Sequence, residues 1–127
     1  GQAFYDRSND QITLPKECLF NDTEGFYSTW CHEEIHKTGA PNRLNRIKGK
    51  KFGDRDYAFE ELVAEIGAAM LCVQLRVTPT VRQDHAEYIG SWLKALRNDK
   101  KYLADAATLA GEAIDFMDAQ QTNRAAA

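Results

Sequence analysis

The chain has 127 residues, 43% of them hydrophobic and 28% charged, with a net charge of −3 at neutral pH. That is one domain's worth of sequence, 1–127, with enough apolar material for a core and too little net charge for the whole surface to bind nucleic acid. No run approaches the roughly 18 unbroken apolar residues of a membrane span. The opening Gly1-Gln2-Ala3-Phe4-Tyr5-Asp6-Arg7 lacks the basic-then-apolar design of a secretion signal, so a cytoplasmic protein is expected.

In chain order, Phe4-Tyr5 and Ile12-Thr13-Leu14 flank the polar Asp6-Arg7-Ser8-Asn9-Asp10, which predicts a β-hairpin whose second strand is limited by Pro15. Cys18, Cys31 and Cys72 are odd in number and include no CxxC pair; three reduced core thiols are expected. Asp22-Thr23-Glu24-Gly25 offers cap chemistry for a helix running to about Lys37, stopped by Gly39 and Pro41. A polar loop follows, with six basic residues and no acidic one between Lys37 and Lys51. Asp54 or Asp56 can cap the next helix, which carries Phe59, Leu62, Val63, Ile66, Met70 and Leu71 at helical spacing. After the break at Thr78-Pro79-Thr80, a third helix carries Ile89, Trp92, Leu93 and Leu96. A fourth shows an apolar stripe of Leu103, Ala106, Ala107, Ala110, Ala113, Ile114 and Met117, before a frayed end at Ala125-Ala126-Ala127. One N-terminal hairpin and about four helices make a small α+β domain, mostly helical.

The chemistry concentrates in His32-Glu33-Glu34-Ile35-His36. Four residues of helix turn through about 400°, so the two histidines stand one turn apart on one face and can meet the same metal ion. Glu33 sits beside them without being a ligand, placed to take a proton from a metal-activated water and return it to a leaving group. Phe26, Tyr27, Trp30 and Ile35 make this a mostly buried helix, where two stray histidines would be awkward.

A third ligand is needed. Glu61 and Glu65, four apart on the second helix, share a face: one can bind metal while the other holds a ligand histidine's free N–H. Glu60 fits a solvated, acidic helix start. Ala64, Gly67, Ala68 and Ala69 keep that helix slim enough to pack closely on the first. His85, next to Asp84, is an alternative ligand.

HExxH followed by ExxxE on a later helix resembles the glutamate-ligand zincins, the thermolysin-like group. Glu61 then takes the metal-ligand position, and Glu65 that of the supporting acid. A longer resemblance runs through Tyr27-Ser28-Thr29, Thr38-Gly39, Arg43-Leu44-Asn45-Arg46, Phe52-Gly53, Tyr57-Ala58, Glu60-Glu61-Leu62-Val63-Ala64-Glu65, His85-Ala86, Tyr88-Ile89 and Ser91-Trp92-Leu93. These strings look like the C-terminal metallopeptidase domain of ArdC-type antirestriction proteins, also found in plasmid primase-like and phage polyvalent proteins. Cys31 and Lys37 depart from that pattern, which has apolar or aromatic residues there. The single-stranded-DNA-binding domain such proteins carry upstream is not among these residues, so an excised domain or a stand-alone relative is expected.

The resemblance implies a zinc-dependent peptidase-like domain of an antirestriction protein, with Mn2+ or another divalent ion also suited to the donors. His32, His36 and Glu61 would bind the ion and Glu33 would be general base and acid. His85 and Tyr88, three apart, would donate to the oxyanion. The alternative is a non-catalytic, metal-stabilised module that protects incoming plasmid or phage DNA. The expected partner is a protein or peptide substrate, with DNA contact through the Lys37–Lys51 loop or through the upstream domain. That loop lacks stacking aromatics, which argues against strong single-strand binding by these residues alone.

Overall fold

The computed structural model of the chain describes residues 2–46, 54–78 and 80–126. Strands β1 (Phe4–Asp6) and β2 (Gln11–Thr13) pair antiparallel, with Tyr5 opposite Ile12. Their turn is closed by the Asp6 carboxylate, which accepts from the Ser8 backbone N–H at 2.9 Å, the Ser8 hydroxyl at 2.7 Å and the Asn9 amide at 2.8 Å. These donors favour the charged form and hold Asp6 down to about 2. A short 3-10 turn, Glu17–Leu19, follows that sequence reasoning did not anticipate, and it leaves Cys18 exposed. The expectation of three core thiols therefore fails for Cys18; Cys31 and Cys72 are buried.

Four helices follow: α1 (Thr23–Thr38), α2 (Asp54–Gln74), α3 (Gln83–Ala95) and α4 (Lys100–Ala126). The class is the α+β, mostly helical one expected. Asp22 caps α1, accepting from the Gly25 N–H at 2.6 Å. Gly25 leaves room for the cap, since a Cβ would stand 2.7 Å from the capping oxygen. Asp99 accepts from the Lys101 N–H at 3.0 Å and so opens α4. The chain reverses before it through Arg97 and Asn98, both left-handed at φ 61° and 55°. Asp54 is the first residue of α2; the residues just before it, where its cap would be judged, lie outside the described residues.

Helix α2 packs against α1, α3 and α4, while the hairpin packs against α1. Its central place explains its composition: Leu62, Val63, Ala64, Ala68 and Cys72 are all but fully buried, on more than one side of the helix. Met70, expected in the core, is 44% exposed. The α4 stripe is narrower than expected: Ala106, Ala110, Ala113 and Ile114 are buried, but Leu103 and Ala107 face out. The expected frayed end is helical as far as Ala126.

The α1–α2 contact is the closest constraint on the site. A Cβ at Gly67 would stand 2.9 Å from both Cδ1 and Cγ1 of the fully buried Ile35. Ile35 lies between His32 and His36 in sequence, so the contact that sets the helix spacing sits on the helix that carries the histidines. Among the described residues no helix is long and apolar enough to cross a membrane.

Candidate metal centre

Helix α1 presents His32 and His36 one turn apart, and α2 presents three carboxylates, Glu60, Glu61 and Glu65, to them. His32 Nε2 lies 3.0 Å from His36 Nε2. The Glu61 carboxylate reaches both rings, with Oε2 3.1 Å from His32 Nε2 and Oε1 3.1 Å from His36 Nε2. Three donors bonded to one tetrahedral ion at about 2.0–2.2 Å stand roughly 3.3–3.5 Å apart. The observed separations come within a few tenths of an ångström of that, so these residues fit a divalent ion. They are also the one group of donors close enough to share an ion among the described residues, and His85 is not in it.

The outer nitrogens are held as closely. His32 Nδ1 lies 2.8 Å from Glu65 Oε1, and His36 Nδ1 lies 2.9 Å from Glu60 Oε2. A carboxylate at each Nδ1 favours a proton there, so that both Nε2 lone pairs would be available to a bound ion. Glu65 also contacts His85, Oε2 to Nδ1 at 2.9 Å. Glu60 is tied to Arg46, whose Nε donates to Oε1 at 2.9 Å.

Without an ion the cluster balances itself by protonation. Burial alone would lower His32, but the Glu61 and Glu65 carboxylates outweigh it and push the ring up to about 10. Burial would raise Glu61, yet the two rings hold it down to about 2. Glu60 and Glu65 are shifted down in the same way, against burial, by His36 with Arg46 and by His32 with His85.

Glu33 is buried, one position round α1 from His32. It lines both openings beside the histidines. One, about 450 Å³, is bordered by Arg7, Tyr57, Glu61 and His36; the other, about 440 Å³, by Glu65, Arg82, His85 and Tyr88. Tyr88 is 56% exposed at the rim of the second. His85 is buried, with Nδ1 on Glu65 and a buried Nε2 that makes no hydrogen bond among the described residues.

Three residues escaped the sequence reading. Glu60 is not a solvated helix start but buried between His36 and Arg46, because α1 and the loop after it cover the first turns of α2. Tyr57, one turn before Glu61, is held above the usual phenol range chiefly by the negative Glu61 carboxylate, and packs its ring on Trp92 with centroids 5.6 Å apart. Arg46 was one cation in a basic run. Of that run, Arg43 pairs with Asp10 and donates to the Lys37 carbonyl at 2.8 Å, and Arg46 pairs with Glu60. These two are therefore engaged inside the fold, while Lys48, Lys50 and Lys51 lie outside the described residues.

Two histidines on one helix and a glutamate on a second could hold one metal ion, with a buried carboxylate beside them. Residues 1–109 match the zincin-like metallopeptidase family, and the chain belongs to it. The chain is 40% identical over 122 residues to the uncharacterized protein y4eC of Sinorhizobium fredii, covering 96% of this chain and 40% of that protein. It is 41% identical over 116 residues to the DNA primase TraC of Escherichia coli, covering 91% of this chain and 11% of the primase. Two crystal structures of the antirestriction protein ArdC from plasmid R388 share the fold at 41% identity. The metal-free form has a TM-score of 0.74 over 96% of this chain and 44% of ArdC; the Mn(II)-bound form has 0.73 over 92% and 43%. The chain thus spans less than half the length of each of these relatives.

Proposed function

We propose that the chain is a hydrolytic zincin domain that cleaves a peptide bond, with zinc as its ion. The observation that carries this reading is the convergence of His32 Nε2, His36 Nε2 and the Glu61 carboxylate within about 3 Å of one another, next to a buried carboxylate, Glu33, that is not one of the donors. A zinc ion held by those three residues would supply Lewis acidity toward a carbonyl oxygen and lower the pKa of water. Glu33 accepts the proton of the attacking water and returns it to the leaving amine. Glu65 orients His32. His85, engaged through Nδ1, holds Glu65 rather than meeting the substrate. Tyr88, which lines one opening, and Tyr57, which lines the other, would supply phenol donors to charge developing on the carbonyl oxygen.

The names of the relatives favour a second reading. ArdC is an antirestriction protein and TraC a DNA primase; neither name describes a peptidase. On that reading the ion stabilises a binding module that shields incoming plasmid or phage DNA.

Two substitutions separate the readings. Glu33→Gln should leave metal occupancy and melting temperature nearly unchanged while abolishing hydrolysis; His32→Ala should lose the ion and the stability linked to it. If protection from restriction in cells survives Glu33→Gln but not His32→Ala, hydrolysis is not the function.

A further inference from the structure

We propose that Arg46 is a positioning residue for the metal centre: its guanidinium locks Glu60, and through Glu60 the His36 ring, in the orientation that binds the ion. The inference rests on the metal-site reading above and goes beyond its three donors. Arg46 comes from the loop after α1, yet its side chain is 8% exposed and every arm is engaged. Nε donates to Glu60 Oε1 at 2.9 Å and Nη2 to Glu60 Oε2 at 3.3 Å, a two-point grip that fixes the plane of the carboxylate. Nη1 donates to Thr38 Oγ1 at 3.0 Å and Nη2 to the Ile35 carbonyl at 2.7 Å, which anchors the guanidinium to the last turn of α1. The gripped Glu60 Oε2 is the atom 2.9 Å from His36 Nδ1.

The place for the guanidinium is built into the backbone. Gly39 ends α1 with an ordinary φ of −81°, so no left-handed turn requires a glycine there. A Cβ at that position would stand 2.9 Å from Arg46 Nη2 and 3.1 Å from Cζ. The glycine leaves room for Arg46 to lie across the helix end.

Positioning and simple electrostatics predict opposite outcomes. Arg46 carries a permanent positive charge close to a site for a divalent cation, so if charge alone mattered its removal would tighten metal binding. If Arg46 acts by holding Glu60, its removal frees the carboxylate and the His36 ring, and binding weakens. Lysine keeps the charge but cannot grip two oxygens in one plane.

The test is Zn2+ affinity by chelator competition on the whole chain, with Co2+ absorption spectra reporting the ligand field. Arg46→Lys and Arg46→Met should both weaken binding by about 10–100-fold, the range seen when an outer-sphere partner of a metal ligand is lost, and should alter the Co2+ spectrum. Gly39→Ala, which leaves Arg46 in the sequence but takes its space, should shift both readouts the same way. In a Glu60→Gln background Arg46→Met should add nothing further. Unchanged or tighter binding by Arg46→Met overturns the proposal, as does an Arg46→Met effect that persists undiminished without Glu60. If Arg46→Met fails to fold, Arg46→Lys and Gly39→Ala decide by the same criterion. A wild-type chain that binds neither ion overturns the metal-site reading itself, an outcome distinct from wild-type binding with indifferent variants.

Discussion

Replacing Gly67 by alanine tests whether the approach of α1 to α2 sets the metal centre. The new methyl would sit 2.9 Å from two carbons of Ile35 and 3.1 Å from a third. Carbon atoms pack comfortably at about 3.5–4.0 Å, so relief requires roughly 0.6 Å of separation, and Ile35, fully buried, has little room to turn away. Overpacking of this kind costs about 1–3 kcal/mol, against about 1 kcal/mol gained by replacing a helical glycine. A net loss of about 1 kcal/mol is expected, or roughly 3–5 °C in melting temperature for a chain of this size. The effect on the site should be larger. His32 and His36 ride on α1 and Glu61 on α2, and metal bonds tolerate only about 0.2 Å of displacement, so Zn2+ affinity should fall by at least about tenfold. Calorimetry and chelator competition on the same preparation measure both. Ile35→Ala alone should cost about 2–5 kcal/mol through the cavity it leaves. The double variant should lose less than the sum, because the new methyl then meets no obstacle and fills part of that cavity. A Gly67→Ala protein with unchanged melting temperature and unchanged affinity would show that this contact does not govern the spacing.

Glu65→Gln should keep the fold and weaken Zn2+ binding by about 10–100-fold, because its carboxylate contacts both His32 and His85; an unchanged affinity would leave Glu65 an ordinary buried polar group. His85 gives the clearest pH signature. Burial alone would lower it, but Cys72 and Glu65 outweigh burial and push it up to about 9. Its folded value is thus raised above the ordinary 6.5, so the stability it contributes is complete below pH 6.5 and is lost as pH rises through about 9. Urea titrations of metal-free wild type and His85→Gln should therefore converge across that window, and a stability difference independent of pH would refute the assignment.

Whatever depends on spacing within one helix is legible before any packing is known. His32 and His36 share a face because they are four apart, Glu61 and Glu65 for the same reason, and Glu33 must lie beside the histidines because it is one residue on. The small residues Ala64, Gly67, Ala68 and Ala69 announced a close neighbour, and Gly67 does meet Ile35 of α1. The hairpin and the order of the four helices were equally local matters of turn chemistry and apolar period. Which carboxylate meets which nitrogen is a matter of packing, because it depends on the rotation of α2 about its own axis where it lies against α1. Glu60 and Glu61 are adjacent and chemically identical, yet one contacts the Nδ1 of His36 and the other lies between the two Nε2 atoms. In the sequence Arg46 is one of six cations in a loop expected to contact DNA, and nothing in its local sequence says that its side chain folds back over a helix end. The packing of α3 on α2 also decides that His85 meets Glu65, through its Nδ1. Helical periodicity places side chains on a face to within a fraction of a turn, but metal ligation and its supporting hydrogen bonds are settled at tenths of an ångström, and that scale exists only once the helices are packed.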